Sequence, residues 1–302
     1  RNANGNYKFA HKSILEFFLF EKAFKEVDFR KIITLNGFNG YDMLKHFIQE
    51  KSNDYLQNLM KNNPNKLQSG SFSFFQLPDI DFSDVDIIDC DFEGCNLSES
   101  NFTFAKLVNV NLCSANLIKA NFRGANLRNV KLNYSVLKKG KLREANLKDV
   151  EMIGANLEEV NLEGANLEGA NLEGACISKG ILSFSNLEGA NLLETNLSEA
   201  VLIEANLERT NLNGVDLRKT FLINSIYKDI EKVIDYSYMW MALSNAGSWI
   251  ANWHKISLVE TIFSEKQIIY FEKKYNMRGT KVYIAEADEL INYNDFSEKR
   301  KV

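Results

Sequence analysis

The sequence predicts a mainly β protein: a solenoid, with a helical segment before it and a small α+β domain after it. Three observations carry that reading. Every fifth residue from Phe82 to Leu222 is apolar, 29 positions without a break: 22 Leu, four Phe, two Ile and Met152. Two residues before each stands, Ile80 excepted, a small residue: Ala, Val, Ser, Thr, Gly or Cys. The residue between them is most often Asn or Asp, as in Ala165-Asn166-Leu167-Glu168-Gly169. A period of five fits neither a helix nor a plain strand, and sustained internal periodicity marks a solenoid.

Positions two apart point to one side of an extended segment, so the small residue and the Leu both face inward. The residue between them faces solvent, and the last two of each five turn a corner. Glycines 94, 124, 154, 164, 169, 174, 189 and 214 all fall on the last corner position, where a tight backbone is least costly. The run resembles the pentapeptide-repeat family, whose motif is A(D/N)LXX. That resemblance implies a right-handed quadrilateral β-helix with four pentapeptides per coil and about seven coils, roughly 35 Å of rod at about 4.8 Å per coil. Leu127, Leu147 and Leu167 are then expected one above another inside it. Phe82, Phe102 and Phe122 lie twenty apart, as a stack of rings on one face requires.

The 302 residues allow two or three domains, here residues 1–70, 71–224 and 225–302. A hydrophobic content of 45% and a charge content of 25% are ordinary for a globular protein, and a net charge of −4 favours no nucleic-acid partner. No apolar run of 18 residues and no signal peptide is present, so no membrane partner and a cytoplasmic setting are expected. The first residue is Arg1, not Met, as expected of a piece of a longer chain or of a processed product. Cys90 and Cys95 occupy inward positions, Cys113 and Cys176 outward ones. Without a Cys-x-x-Cys or Cys/His cluster no metal site is expected, and no cofactor is either.

Ser13-Ile14-Leu15-Glu16 fits a capping box, Ser13 as N-cap and Glu16 at the third helical position, opening a helix of about thirteen residues with Ile14, Phe17, Phe18 and Phe24 on its apolar face. Two shorter helical patterns follow at residues 41–50 and 54–60. The stretch Tyr7-Lys8-Phe9-Ala10-His11-Lys12-Ser13-Ile14-Leu15-Glu16-Phe17-Phe18-Leu19 resembles the end of a NACHT or related STAND-type NTPase module. In that module the pattern Phe-x-His-x-Ser-x-x-Glu-Phe/Tyr-Phe closes the winged-helix part. The resemblance implies an ATPase upstream and a sensing role for the repeats, in a setting such as bacterial antiphage defence. The chain has no P-loop of its own: Gly214-Val215-Asp216-Leu217-Arg218-Lys219-Thr220 lacks the second Gly and lies within the repeat.

Outward charge is segregated. Lys119, Arg123, Arg128, Lys131, Lys138, Lys139, Lys141, Arg143 and Lys148 form a basic middle, opposed inside it only by Glu144. From residue 151 to 208 the exposed charge is acidic except for Lys179, with Glu163 and Glu168 near its start. Lys138, Lys139, Lys141, Arg143, Glu163 and Glu168 are therefore candidate contacts for a protein partner, since charge bands steer and orient. Ile181, Val201 and Phe221 stand twenty apart and are expected to form an apolar stripe covered by the C-terminal segment.

Residues 225–302 leave the repeat. Ile230, Val233, Ile234, Tyr238 and Met241 have helical spacing, Trp249 and Trp253 offer a second interaction candidate, residues 264–275 read as helix and residues 281–285 as a strand. His254 stands alone, with no motif partner for catalysis. The resulting expectation is a non-enzymatic sensing or interaction arm of a STAND-type NTPase. Two other readings stay open: a passive spacer, and a DNA mimic directed at gyrase, which some pentapeptide-repeat proteins are.

Overall fold

In a computed structural model of the protein, the structure describes residues 19, 21–23, 25–35, 42–212, 214–222, 262–264, 281–284 and 289–292. From Lys66 to Phe221 the chain pairs in parallel with itself at a spacing of twenty residues. Three short strands, β1 (Lys66–Gln68), β2 (Asp86–Ile88) and β3 (Lys106–Val108), pair in that order. Their register is Leu67 opposite Ile87 opposite Leu107. Single bridges of the same spacing carry the pairing onward, the last being Val201 with Phe221. Four ladders result, starting at Lys66, Ser71, Gln76 and Asp81, one for each pentapeptide in a twenty-residue rung. The expected start at residue 71 is one pentapeptide late: Leu67 already keeps the inward phase and is fully buried.

Most corners share one turn. The N–H of the small residue donates to the carbonyl of the leucine three before it, as from Ala125 to Phe122 at 3.0 Å. The second residue between them has positive φ, 51–68° at every fifth position from Ser69 to Lys219. This is the pattern of a type II turn, in which that position demands the left-handed region. An L residue there costs roughly 1–2 kcal/mol, yet most of these positions are not glycine. The N–H of such residues is fixed to the neighbouring rung, as from Lys139 to the Glu158 carbonyl at 2.9 Å. The preference for Asn on the bridging residue has an equally local cause. Its Oδ1 accepts the N–H two residues on, as Asn126 does from Arg128 at 3.2 Å. Its Nδ2 donates to the asparagine one rung before, as Asn206 does to Asn186 at 3.0 Å.

Inside, Leu127, Leu147 and Leu167 are fully buried, each following a residue of the Asn126–Asn146–Asn166 ladder. Phe82, Phe102 and Phe122 stack with ring centroids 5.1 and 4.5 Å apart, and Phe72 and Phe92 stack beside them at 4.8 Å. Inward hydroxyls are satisfied by carbonyls, Thr195 donating to Leu172 at 2.8 Å and Ser135 to Leu132 at 2.6 Å. All four cysteines are free thiols.

Three corner aromatics lie over a glycine of the next rung. A Cβ added at Gly94, Gly124 or Gly154 would stand 2.2, 2.5 or 2.8 Å from the ring of Phe74, Phe104 or Tyr134. Gly189, at the same kind of corner, faces open space. Gly189→Ala should therefore cost about 1 kcal/mol of backbone strain alone. Gly124→Ala should cost visibly more, and Phe104→Ala in the same chain should remove the excess. Urea unfolding of the two singles and the double measures this coupling.

Before the ladders lie α1 (Val27–Leu35) and α2 (Asp42–Met60). The two short helices expected at 41–50 and 54–60 are one helix. Ser52, between the two patterns, is buried and donates its hydroxyl back to the Ile48 carbonyl at 2.6 Å, a bond that lets serine sit inside a helix. Leu44, Ile48, Ser52 and Leu56 form its buried face at a spacing of four. Helix α1 was not expected at all: its Ile-Ile-Thr run has weak helix propensity, which tertiary contact overrides. Residues 19, 21–23 and 25 are also helical, while Ser13 and Glu16 lie outside the described residues.

Further on, β4 (Ile262–Ser264) pairs in parallel with β5 (Lys281–Ile284), which pairs antiparallel with β6 (Glu289–Asn292). The strand read at 281–285 is β5, whereas Ser264, read as the start of a helix, ends β4. Residues 225–244, Trp249, Trp253 and His254 lie outside the described residues. No helix among the described residues is long and apolar enough to cross a membrane.

Candidate interaction surface

The inward positions of the ladders are filled by side chains, so whatever the repeat does, it does with its outside. Among the described residues no group of His, Cys, Asp and Glu is arranged to hold a metal ion. The outside is built from three positions per pentapeptide: the bridging residue and the two corner residues. Each recurs one rung on, about 4.8 Å away, within reach of a long side chain.

That spacing decides the fate of the charge bands. Lys138 meets Glu158 at 2.6 Å, Lys139 meets Glu159 at 3.4 Å, Arg143 meets Glu163 at 3.5 Å and Lys148 meets Glu168 at 2.7 Å. Arg123 and Arg128 reach Glu144 and Asp149 at 3.9 and 3.6 Å. The basic middle and the acidic stretch thus face each other across one rung and neutralise each other at the seam. In the chain Glu144 alone opposes the basic band; in space the next rung supplies five more carboxylates, Asp149, Glu158, Glu159, Glu163 and Glu168. The hydrogen bond from Lys138 holds the Glu158 carboxyl below its usual range and raises the lysine in turn. Of the candidate contacts, Lys138, Lys139, Arg143, Glu163 and Glu168 are committed to these pairs. Lys141, on the Asp81 ladder, makes no ion pair among the described residues. Glu194, Glu199, Glu204 and Glu208 lie beyond the seam.

Exposed apolar side chains interrupt this surface. Phe104, Tyr134 and Phe184 stand on corners at 59%, 65% and 58% exposure, and Ile181 and Phe221 are also exposed. Ile181, Val201 and Phe221 are successive members of the ladder that begins at Asp81.

The first rung is where the helices meet the repeat. Arg30 of α1 is buried, its Nε donating to the Ser73 carbonyl at 2.9 Å and its NH1 to the Ala23 carbonyl at 3.3 Å. Its guanidinium lies 4.1 Å from the centre of the Phe75 ring, and burial pulls its pKa down to about 10. Lys31 lies over the Phe74 ring at 5.2 Å. Tyr55 of α2 sets its edge against Phe72 and Phe75 at 5.6 and 5.9 Å. Sequence reasoning missed Arg30, because an arginine between Phe29 and Lys31 carries no burial signal of its own. The corner aromatics did carry one: an aromatic residue twenty before a glycine, three times over.

Arg30→Met keeps the bulk but leaves two carbonyls without their donor, at about 1–3 kcal/mol for the pair. The expected result is faster hydrogen exchange in residues 25–35 with little change in exchange across residues 100–200.

The pentapeptide-repeat family matches in eight copies over residues 71–103, 95–133, 141–178 and 181–218. Among solved structures, HetL from Nostoc sp. strain PCC 7120, described as involved in heterocyst differentiation regulation, is 22% identical; the match covers 56% of this chain and 88% of that one, TM-score 0.38. QnrB1, a plasmid-mediated fluoroquinolone resistance protein, is 16% identical over 69% of this chain and 89% of its own, TM-score 0.38. The protein alr5209 from Nostoc PCC 7120 is 31% identical over 37% of this chain and 80% of its own, TM-score 0.23. None of the curated proteins matches the chain. The chain is a pentapeptide-repeat protein, with its repeats in residues 71–218.

Proposed function

We propose that the chain is a non-catalytic protein-interaction arm: the sensing part of a STAND-type NTPase, with the outside of the repeat recognising a protein and the helical segment passing that event on. The observation that carries the interaction reading is the repeat itself, whose inward positions from Leu67 to Leu222 are buried, apart from the partly buried Ile80 and Leu212, and whose function is left to a stiff outer surface. The STAND part of the reading is supported by the resemblance at Phe9, His11, Ser13, Glu16 and Phe17, and by the Arg30 anchorage of α1 on the first rung. A DNA mimic is disfavoured physically, because a continuous acidic face is what it needs and here Glu158, Glu159, Glu163 and Glu168 each carry a cation from the rung before.

The test begins with the coding sequence ahead of Arg1, where a G-x-x-x-x-G-K-[S/T] motif after an apolar strand is expected. Its absence would overturn the STAND reading and leave the interaction arm standing. The arm itself is tested by Tyr134→Ala with Lys141→Glu in the full-length protein, followed by affinity capture against the unaltered chain. Loss of a specific, stoichiometric partner is expected; an unchanged set of partners would favour a spacer.

A further inference from the structure

Two repeating bonds join the rungs, and both can be followed back to the edge where the repeat begins. A bridging residue donates its N–H to the carbonyl 21 residues before it, as Asn101 does to Ile80 at 2.8 Å. A residue at the leucine position or the last corner position donates to the carbonyl 19 residues after it, as Phe82 does to Asn101 at 2.7 Å and Asp84 to Thr103 at 2.9 Å. By this second rule the Ser73 carbonyl would accept from residue 54, but Asp54 lies in α2, and Arg30 Nε supplies the donor at 2.9 Å. That part of the first rung is covered, with Phe72, Ser73, Phe74, Phe75 and Gln76 buried. The part at Asp81 is not. By the first rule Asp81 would donate to residue 60, and Met60 ends α2. By the second, the Ser83 carbonyl would accept from residue 64, and Pro64 has no N–H. Among the described residues nothing donates to the carbonyls of Asp81 and Ser83, and the Asp81 N–H has no acceptor. Asp81 is exposed, and Ile80 beside it is only partly buried.

The charge around this open edge is of one sign. Asp79, Asp81 and Asp84 are all exposed, and none makes an ion pair among the described residues. Asp81 has a local reason to be aspartate. The first member of an asparagine ladder has no earlier side chain to donate to, and a carboxylate only accepts: its Oδ1 takes the Ser83 N–H at 3.0 Å and Asn101 Nδ2 at 2.9 Å. Asp79 and Asp84 have no such reason. They stand at corners with φ of 59° and 57°, where asparagine serves as well.

We propose that this edge takes an extended, lysine- or arginine-bearing segment of another protein as an added strand. The backbone of that segment meets Asp81 and Ser83, and its cations meet Asp79, Asp81 and Asp84. Two features select this occupant. Unpaired main-chain donors and acceptors at a sheet edge are a template for a further strand. A second copy brought edge to edge would set the same three carboxylates against one another, whereas a basic segment is drawn in. The site lies at the first rung, apart from the Tyr134 and Lys141 surface, so either can fail without the other.

The test uses the full chain and a short synthetic peptide, blocked at both ends, that alternates lysine and valine. Saturable binding is expected, with slower hydrogen exchange in segments spanning residues 78–85 and unchanged exchange across residues 150–200. The same peptide methylated on every backbone nitrogen keeps its charge but cannot pair as a strand, and should not bind. Asp79→Asn, Asp81→Asn and Asp84→Asn together should weaken binding about tenfold or more. The melting temperature should stay in place, because asparagine keeps both acceptor bonds of Asp81 and tolerates both corners. Absence of saturable binding, equal binding of the methylated peptide, or exchange that slows elsewhere than at 78–85 would overturn the proposal. So would a concentration-dependent dimer in sedimentation velocity that strengthens in the triple variant, which would assign the edge to a second copy of this chain.

Discussion

Removing residues 101–120 is expected to leave a folded, soluble protein, while removing only residues 101–107 destroys it. The twenty-residue deletion takes out one whole rung. Phe82 then stacks on Phe122 in place of Phe102, Asp81 bridges Asn121, and Glu99 meets Lys139 in place of Lys119, which it now holds at 2.7 Å. Every inward residue stays inward and every positive-φ corner stays a corner. Because each rung of a solenoid contacts only its neighbours, the loss is close to one rung's share of stability. The seven-residue deletion changes the phase by two in five. Ser114 and Lys119 then fall on inward positions, and a buried unpaired lysine alone costs several kcal/mol. A five-residue deletion of 101–105 should fall between: it keeps the inward phase but moves every later ladder round by one side. Soluble yield, circular dichroism and the cooperativity of thermal unfolding read all three. Equal loss of soluble protein from the twenty- and seven-residue deletions would contradict a twenty-residue register.

Leu147→Ala should destabilise the repeat by about 2–5 kcal/mol, the range for a fully buried leucine truncated in a core that cannot collapse onto the gap. Leu147 is fully buried, with Leu127 and Leu167 at the equivalent places one rung to either side. The rungs are fixed at the hydrogen-bonded spacing, as in the bonds from Leu127 to the Asn146 carbonyl at 2.8 Å and from Leu147 to the Asn166 carbonyl at 2.7 Å. The backbone therefore cannot move in to fill the cavity. Leu147→Met, which nearly conserves volume, should cost less than about 1.5 kcal/mol. Urea midpoints of the full chain measure both. A Leu147→Ala loss below 1 kcal/mol would mean that the column is not close-packed at that rung.

The five-residue period by itself determined the inside of this protein. Alternation in an extended segment puts residues two apart on one side, so the small residue and the leucine had to face inward together, and glycine at the last position marked the corner. These are local rules, and they need no knowledge of what lies across the core. The helical segment was legible only in part, because Ser52 needed a carbonyl four residues back, and α1 needed the first rung, before either made sense as helix.

What the tertiary structure alone decided is which outward residues meet. Lys138 and Glu158, or Phe104 and Gly124, are twenty apart in the chain and neighbours in space, so the sequence shows two charge bands where the fold makes an ion-paired seam. Arg30 is the extreme case, a charge buried against Phe75 and the Ser73 carbonyl 43 residues away. Periodicity fixes the direction in which a side chain points; only closure of the ring at twenty residues fixes what it finds there.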